Sequence, residues 1–78
     1  MKIKYFAKIQ EQVGLREEEI TPAPMTVSHL REILMQRHPQ IKTILPHLRF
    51  AVNLEFVDLK HPLQENDEVA LIPPVSGG

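Results

Sequence analysis

No position of this 78-residue chain is a cysteine, so nothing but ordinary packing can hold it folded. At this length a fold removes only about 60 to 65% of the unfolded surface from water. Neither a disulfide framework nor a cysteine-based zinc site is available to add stability. There is room for one domain, residues 1–78, with one small core, and the apolar pattern must say how that core is built.

The pattern begins with alternation. Across residues 2 to 8, Ile3, Tyr5 and Ala7 fall on one face and Lys2, Lys4 and Lys8 on the other, the period of a half-buried strand. Phe6 breaks the alternation by joining the lysine face. Ile9 to Val13 reads as a short helical turn stopped by Gly14, a residue type favoured just past a helix end. Leu15 to Thr21 reads as a second strand, antiparallel to the first, with Glu17, Glu18 and Glu19 as a solvated edge. Pro22 and Pro24 then break the chain, and Thr26 is placed to cap a helix.

That helix is the clearest element. Val27, Leu30, Ile33 and Leu34 form one apolar stripe, Arg31, Glu32 and Gln36 face outward, and Pro39 ends the helix near His38. Residues 41 to 46 connect, tucking Ile44 and Leu45 beneath the domain. Leu48 to Asn53 is a third strand with Phe50 and Val52 inward, and Leu54 to Lys60 holds a short strand or an extended loop. Residues 61 to 67 carry turn chemistry, with Asn66 suited to a left-handed position. Glu68 to Ile72 is the last strand, Val69 and Leu71 inward and Ile72 outward. Two hairpin strands, a helix and returning strands predict an α+β layer structure with one sheet face covered. Phe6 and Ile72, both opposite in parity to the core, and Phe56, which has no evident core role, are therefore candidates for an apolar interface patch.

A formal charge of −1 supplies no field for a polyanion, which argues against nucleic acid as a partner. The lysine-studded start has no signal-peptide core, and no apolar run is long enough to span a bilayer, so a cytoplasmic protein without membrane contact is expected. His29, His38, His47 and His61 lack ligand-like spacing, and Ser28 and Ser76 lack a nucleophile-elbow context. No self-contained active site or metal site is expected.

The end of the chain carries the sharpest functional signal. Two of its three glycines are the final pair, Gly77 and Gly78, following Pro73-Pro74-Val75-Ser76. Glycine has no side chain and permits backbone conformations closed to other residues, so such an end can thread a narrow cleft and present its carboxylate there. Pro73 and Pro74 fix φ, lack N–H donors and send the chain stiffly away from the sheet. The four residues beyond them reach about 13 Å when extended. Residues 72–78 thus read as an extended tail whose reactive group is the main-chain terminus.

On these residues the chain resembles the β-grasp sulfur carriers, most closely those that serve as the small subunit of molybdopterin synthase. The resemblance covers essentially the whole sequence. It is carried by Ile3-Lys4-Tyr5-Phe6-Ala7, Phe50-Ala51-Val52-Asn53, His61-Pro62-Leu63, and above all Asp67-Glu68-Val69-Ala70-Leu71-Ile72-Pro73-Pro74-Val75-Ser76-Gly77-Gly78. Two positions depart from the pattern: Asn66 replaces a common glycine, and Leu71-Ile72 stands where aromatics are common.

The resemblance implies a ubiquitin-like β-grasp fold with a mixed four- to five-stranded sheet and one main helix on one face. It implies that Gly78 is adenylated by a ubiquitin-activating-type adenylyltransferase that uses ATP, then converted to a thiocarboxylate by a sulfur donor enzyme. Docked into the large subunit of molybdopterin synthase through Phe6, Phe56 and Ile72, with residues 73–77 inserted, it would donate sulfur to cyclic pyranopterin monophosphate. No cofactor would be bound by the chain itself, and the lack of cysteine fits a sulfur atom carried on the terminus. A thiamine-type sulfur carrier, a protein modifier joined through Gly78, and a binding module with an inert tail are the alternatives.

Overall fold

The computed structural model describes residues 1–73. Of the tail positions singled out above, Pro74, Val75, Ser76, Gly77 and Gly78 lie outside the described residues.

Strand β1, Lys2–Tyr5, alternates as the sequence predicts, with Ile3 and Tyr5 buried and Lys2 exposed on the other face. It is shorter than the predicted strand of residues 2 to 8. Ala7 takes a φ of 51°, a left-handed conformation that cannot continue an extended strand, and it opens helix α1, Ala7–Val13, instead of facing inward. Ile9 and Val13, four residues apart, form the buried stripe of α1. Gly14 closes the helix at φ 83°, its N–H bonding the Gln10 carbonyl at 2.9 Å.

Strand β2 is only Glu17–Glu19, and Leu15, predicted to open it, is exposed ahead of it. Helix α2, Val27–Arg37, starts at Thr26, whose hydroxyl accepts from the His29 N–H at 3.2 Å. Val27, Leu30 and Leu34 are fully buried and Ile33 packs at the margin. Glu32 and Gln36 face solvent as expected, whereas Arg31 is half-buried. After His38 the chain makes two single 3₁₀ turns, Pro39–Ile41 and Leu45–His47. They insert Ile41 and Leu45 into the core and leave Ile44 at its edge, so the buried pair is not the predicted Ile44 and Leu45.

Strands β3 (Arg49–Val52), β4 (Glu55–Val57) and β5 (Glu68–Ile72) complete a mixed sheet of order β2-β1-β5-β3-β4. The β1–β5 pair is parallel and central, and the other pairs are antiparallel. The β3–β4 turn places Asn53 and Leu54 at φ 49° and 72°, the left-handed pair of a primed hairpin turn. Asn66, which the sequence suggested for such a position, does not have a positive φ. Asn53 instead ties two turns together: its amide N–H donates to the Asp67 carboxylate at 2.9 Å, and its oxygen accepts from the Glu68 N–H at 3.1 Å.

Ile3, Tyr5, Phe50, Val52, Val69 and Leu71 share one sheet face, which α1, α2 and the 3₁₀ turns cover. Removing each such side chain from water contributes about 1.5 to 3 kcal/mol. Strand alternation sends Lys2, Lys4, Arg49, Ala51, Phe56, Glu68, Ala70 and Ile72 to the opposite, open face.

Candidate docking face and tail root

The open face is organised by register. Ile72 on β5 stands opposite Arg49 on β3, Ala70 opposite Ala51, and Ala51 opposite Phe56 on β4. Lys4 on β1 pairs with Ala70 from the other side. The two alanines leave a shallow floor between Lys4 and Phe56, and the larger side chains rise around it. Phe56 is 53% exposed, a large area of aromatic surface for a small domain to leave in water.

Phe6 reaches the same region by a different route from the one predicted. It is not a strand residue: it sits one position beyond β1, as the N-cap residue of α1. Its backbone is nevertheless extended, at φ −119° and ψ 154°, so its side chain still leaves the chain opposite to buried Tyr5 and is 46% exposed. Since Tyr5 pairs with Leu71 in the parallel ladder, Phe6 and Ile72 are the next residues along two adjacent chains. Phe6, Ile72 and Phe56 are therefore three apolar positions on one side of the sheet, spread from the tail root to the β4 edge.

The charges on this face are mostly paired. Lys4 meets Glu68 at 3.2 Å and Lys2 meets Glu17 at 4.0 Å. Asp67 and Glu65 hold turns together: Asp67 accepts from the Gln64 N–H at 2.8 Å, and Glu65 accepts from the Ala23 N–H at 3.0 Å. Arg49, which the sequence reading passed over, lies with its guanidinium carbon 3.8 Å from the centre of the Phe56 ring. Its outward parity was available from Phe50 and Val52. Its position over Phe56 follows from the β3–β4 register alone.

At the tail root, strand β5 delivers the chain directly into Pro73. Beside it a groove of about 340 Å³ runs between α1 and the second 3₁₀ turn, lined by Lys8, Ile9, Gln12, Ile44, His47, Leu48 and Pro73. The described part of the tail thus leaves from the end of the sheet nearest Phe6 and Ile72.

On the covered side, one titratable cluster differs from expectation. Glu18 pairs with Ile3 and so points toward the helices, where its carboxylate is far from the solvated edge group that the acidic run suggested. The Tyr5 hydroxyl donates to it, Arg37 Nη1 donates at 3.0 Å, and His38 Nε2 lies 2.5 Å away. The Tyr5 and His38 rings meet edge-on at 5.9 Å. Burial pushes the Glu18 carboxyl up, but the hydrogen bonds from Tyr5 and His38, the charge of His38 and the hydrogen bond from Arg37 outweigh it and hold Glu18 below the usual carboxylate range. Burial first, then the bond and charge of Glu18, raise the Tyr5 hydroxyl well above its ordinary value, with Arg37 opposing. These groups join β1, β2 and the end of α2, a structural role on the side away from the open face.

Among the described residues, no three His, Asp or Glu side chains gather as a metal site, and no helix is long and apolar enough to cross a membrane.

Comparison with known proteins agrees with this geometry. The chain is 38% identical to the human molybdopterin synthase sulfur carrier subunit over 82 residues, covering 100% of this chain and 93% of that one. It is 36% identical to the protein of the same name from Escherichia coli K12 over 80 residues, covering 100% and 99%. Among solved structures it is similar to SAMP1 from Haloferax volcanii, with a TM-score of 0.84, 30% identity and 100% and 98% of the two chains covered. It is also similar to a chain in the complex of subunits 1 and 2 of molybdopterin-converting factor from Helicobacter pylori, with a TM-score of 0.71, 28% identity, and 99% and 96% covered. The ThiS family profile matches residues 3–78. A parallel β1–β5 centre under one long helix, an open face beside the tail root, and a match over nearly the full length together make the chain a member of the ThiS family, with the ubiquitin-like β-grasp fold.

Proposed function

We propose that this protein is the sulfur carrier subunit of a cytoplasmic molybdopterin synthase. The single observation that carries the reading is the near-complete match to sulfur carrier subunits of that enzyme. It is supported by an uncovered sheet face whose apolar residues lie beside the root of a Gly-Gly tail. The chain binds no cofactor of its own. A ubiquitin-activating-type adenylyltransferase joins the Gly78 carboxylate to AMP with release of pyrophosphate from ATP, because a free carboxylate is too poor an electrophile to accept sulfur. Hydrosulfide supplied by a donor enzyme then attacks the acyl carbon and displaces AMP, leaving a thiocarboxylate on Gly78.

Phe6, Phe56 and Ile72 dock on the large subunit, and residues 73–77 carry Gly78 into its active site. There the thiocarboxylate sulfur bonds to cyclic pyranopterin monophosphate, and water hydrolyses the acyl C–S bond, leaving the sulfur on the pterin and restoring the Gly78 carboxylate. Gly77 belongs in the narrowest part of that path. Gly77→Val should shift the melting temperature by no more than about 3 °C, because substitutions away from packed features rarely exceed about 0.5 kcal/mol. Its turnover should fall sharply, and normal turnover would remove the narrow-path account.

The direct test is intact mass and fragment-ion analysis of the chain after incubation with the activating enzyme, ATP and a sulfur donor. The expected result is replacement of one oxygen by sulfur, placed on Gly78 by the fragments. Deletion of Gly78 should abolish both that species and pterin product while the fold persists. Product formed at the normal rate by the truncated chain would refute the reading.

The structural likeness to SAMP1 from Haloferax volcanii supports a second reading, in which an activated Gly78 is joined to an amine of another protein. Incubation with activating enzyme and candidate acceptors separates the two: an isopeptide adduct marks a modifier, whereas a thiocarboxylate that passes only to the pterin marks a carrier.

A further inference from the structure

Arg49 stands on the open face in a position that constrains what can dock there. It is flanked by Ile72 across the β3–β5 ladder and by Phe56, whose ring its guanidinium covers at 3.8 Å. The two lysines of β1 on the same face have carboxylates of their own, Glu17 and Glu68. Among the described residues Arg49 has no carboxylate within salt-bridge distance. The cation–π contact fixes one flat side of the guanidinium and leaves its rim of N–H donors free to face outward.

A partner that covers Ile72 and Phe56 must also cover the group between them. In water that charge is solvated, but under a docked surface it loses its hydration, and a buried charge without a counter-ion strongly opposes binding. Stacking on Phe56 compensates only part of this, because the ring accepts none of the in-plane N–H bonds. A carboxylate, planar and able to take two parallel N–H bonds, is the protein group that matches the exposed rim. Glu68 cannot serve, since Lys4 already holds it on the far side of the β5 strand.

We propose that Arg49 is the specificity residue of the docking face, and that it receives an aspartate or glutamate side chain of the large subunit. This rests on the assignment of that subunit as the partner. A cation at this position makes an apolar patch selective: a surface of equal shape without an acid opposite Arg49 is rejected by the desolvation cost, and one with a basic group there is repelled.

The test uses the full-length chain and the large subunit of the same organism's synthase, with binding followed by calorimetry across a series of salt concentrations. Arg49→Met keeps apolar contact with Phe56 and removes the charge. It should bind at least tenfold more weakly and with a shallower dependence on salt. Arg49→Lys should fall between, because an ammonium neither stacks nor bridges as a guanidinium does. Phe6→Ala should weaken binding with the salt dependence unchanged, which separates loss of apolar contact from loss of an ion pair. Arg49→Glu should bind most weakly and be rescued by changing one acidic residue of the large subunit to lysine, found by testing its surface acids one at a time.

If the wild-type chain binds and Arg49→Met binds equally well with the same salt dependence, the inference is overturned while the partner assignment stands. A wild-type chain that fails to bind the large subunit overturns both. Unfolding measured on each variant keeps the readings on folded protein, and since Arg49 is exposed, the substitutions are expected to leave the fold intact.

Discussion

The two faces of the sheet are built from the same strands and have opposite duties. On β5, Leu71 is fully buried and Ile72, the next residue, opens toward the other side. On β3, Phe50 is buried and Arg49 before it stacks on Phe56 in the open. Moving one residue along a strand therefore moves from a side chain that holds the domain together to one that can meet a partner. A domain of this size has so few core positions that each is needed for stability, so any binding surface has to be drawn from the alternate residues of the same segments.

Substitution should separate the faces most clearly at the adjacent pair. Leu71→Ala leaves a cavity in the centre of the core and is expected to lose about 3 kcal/mol of unfolding free energy, with binding unchanged once corrected for the folded fraction. Ile72→Ala and Phe6→Ala should lose less than about 1 kcal/mol, yet bind the large subunit at least tenfold more weakly, about 1.4 kcal/mol. Chemical denaturation paired with calorimetric titration checks both quantities. If Ile72→Ala lost several kcal/mol of stability and bound normally, the open-face assignment would fail.

The next effect tests whether the polar cluster belongs to the covered face alone. Glu18→Gln removes the acceptor charge from Tyr5, Arg37 and His38 and should destabilise by about 2 kcal/mol near neutral pH, the scale of hydrogen bonds to a charged group. Because Glu18 is held below its ordinary value of 4.5 in the fold, its contribution is fully present above that value. It is lost as pH falls through the lower, folded pKa. The stability gap between wild type and variant should therefore close on acidification below 4.5, while affinity for the large subunit at neutral pH stays the same. A gap constant with pH would show that the Glu18 charge is not what these bonds stabilise.

The smallest effect lies at the far end of the open face. Leu54 is 95% exposed and carries a left-handed backbone that disfavours a side chain. Leu54→Gly should raise stability by roughly 0.5 kcal/mol, the strain relieved being partly offset by the greater freedom of glycine in the unfolded chain. Thermal unfolding measures it, and a loss of stability would show that the leucine contributes a contact at the turn.

Much of this architecture was legible in local pattern. The alternation of Ile3 with Tyr5 and of Val69 with Leu71 identified the inner face, since a strand has a side-chain period of two wherever it sits. The stripe of α2, its Thr26 cap, and Gly14 at the end of α1 were equally local, because each depends on neighbours within one or two turns. So was the glycine pair at the end of the chain, from which the sequence reading of function started.

Where local pattern failed, a distant partner had decided. Ala7 matched the inward parity of Ile3 and Tyr5, yet the chain turns into α1 there, ending the strand and leaving Phe6 at a helix cap. Ile41 displaced Ile44 because the 3₁₀ turn after α2 directs it beneath α1. Glu18 looked like one of three equivalent edge acids until β1 pairing turned it toward Tyr5, Arg37 and His38.

The sequence by itself determined the inward and outward parity of the core strand residues and the position of the main helix. Only the tertiary structure decided that Phe6 stands beside Ile72 and that Arg49 covers Phe56. Parity is a property of one strand and is carried by its own residues. Proximity across a sheet depends on strand order and register, and the parallel pairing of β1 with β5 joins the two ends of the chain through packing that no local pattern encodes.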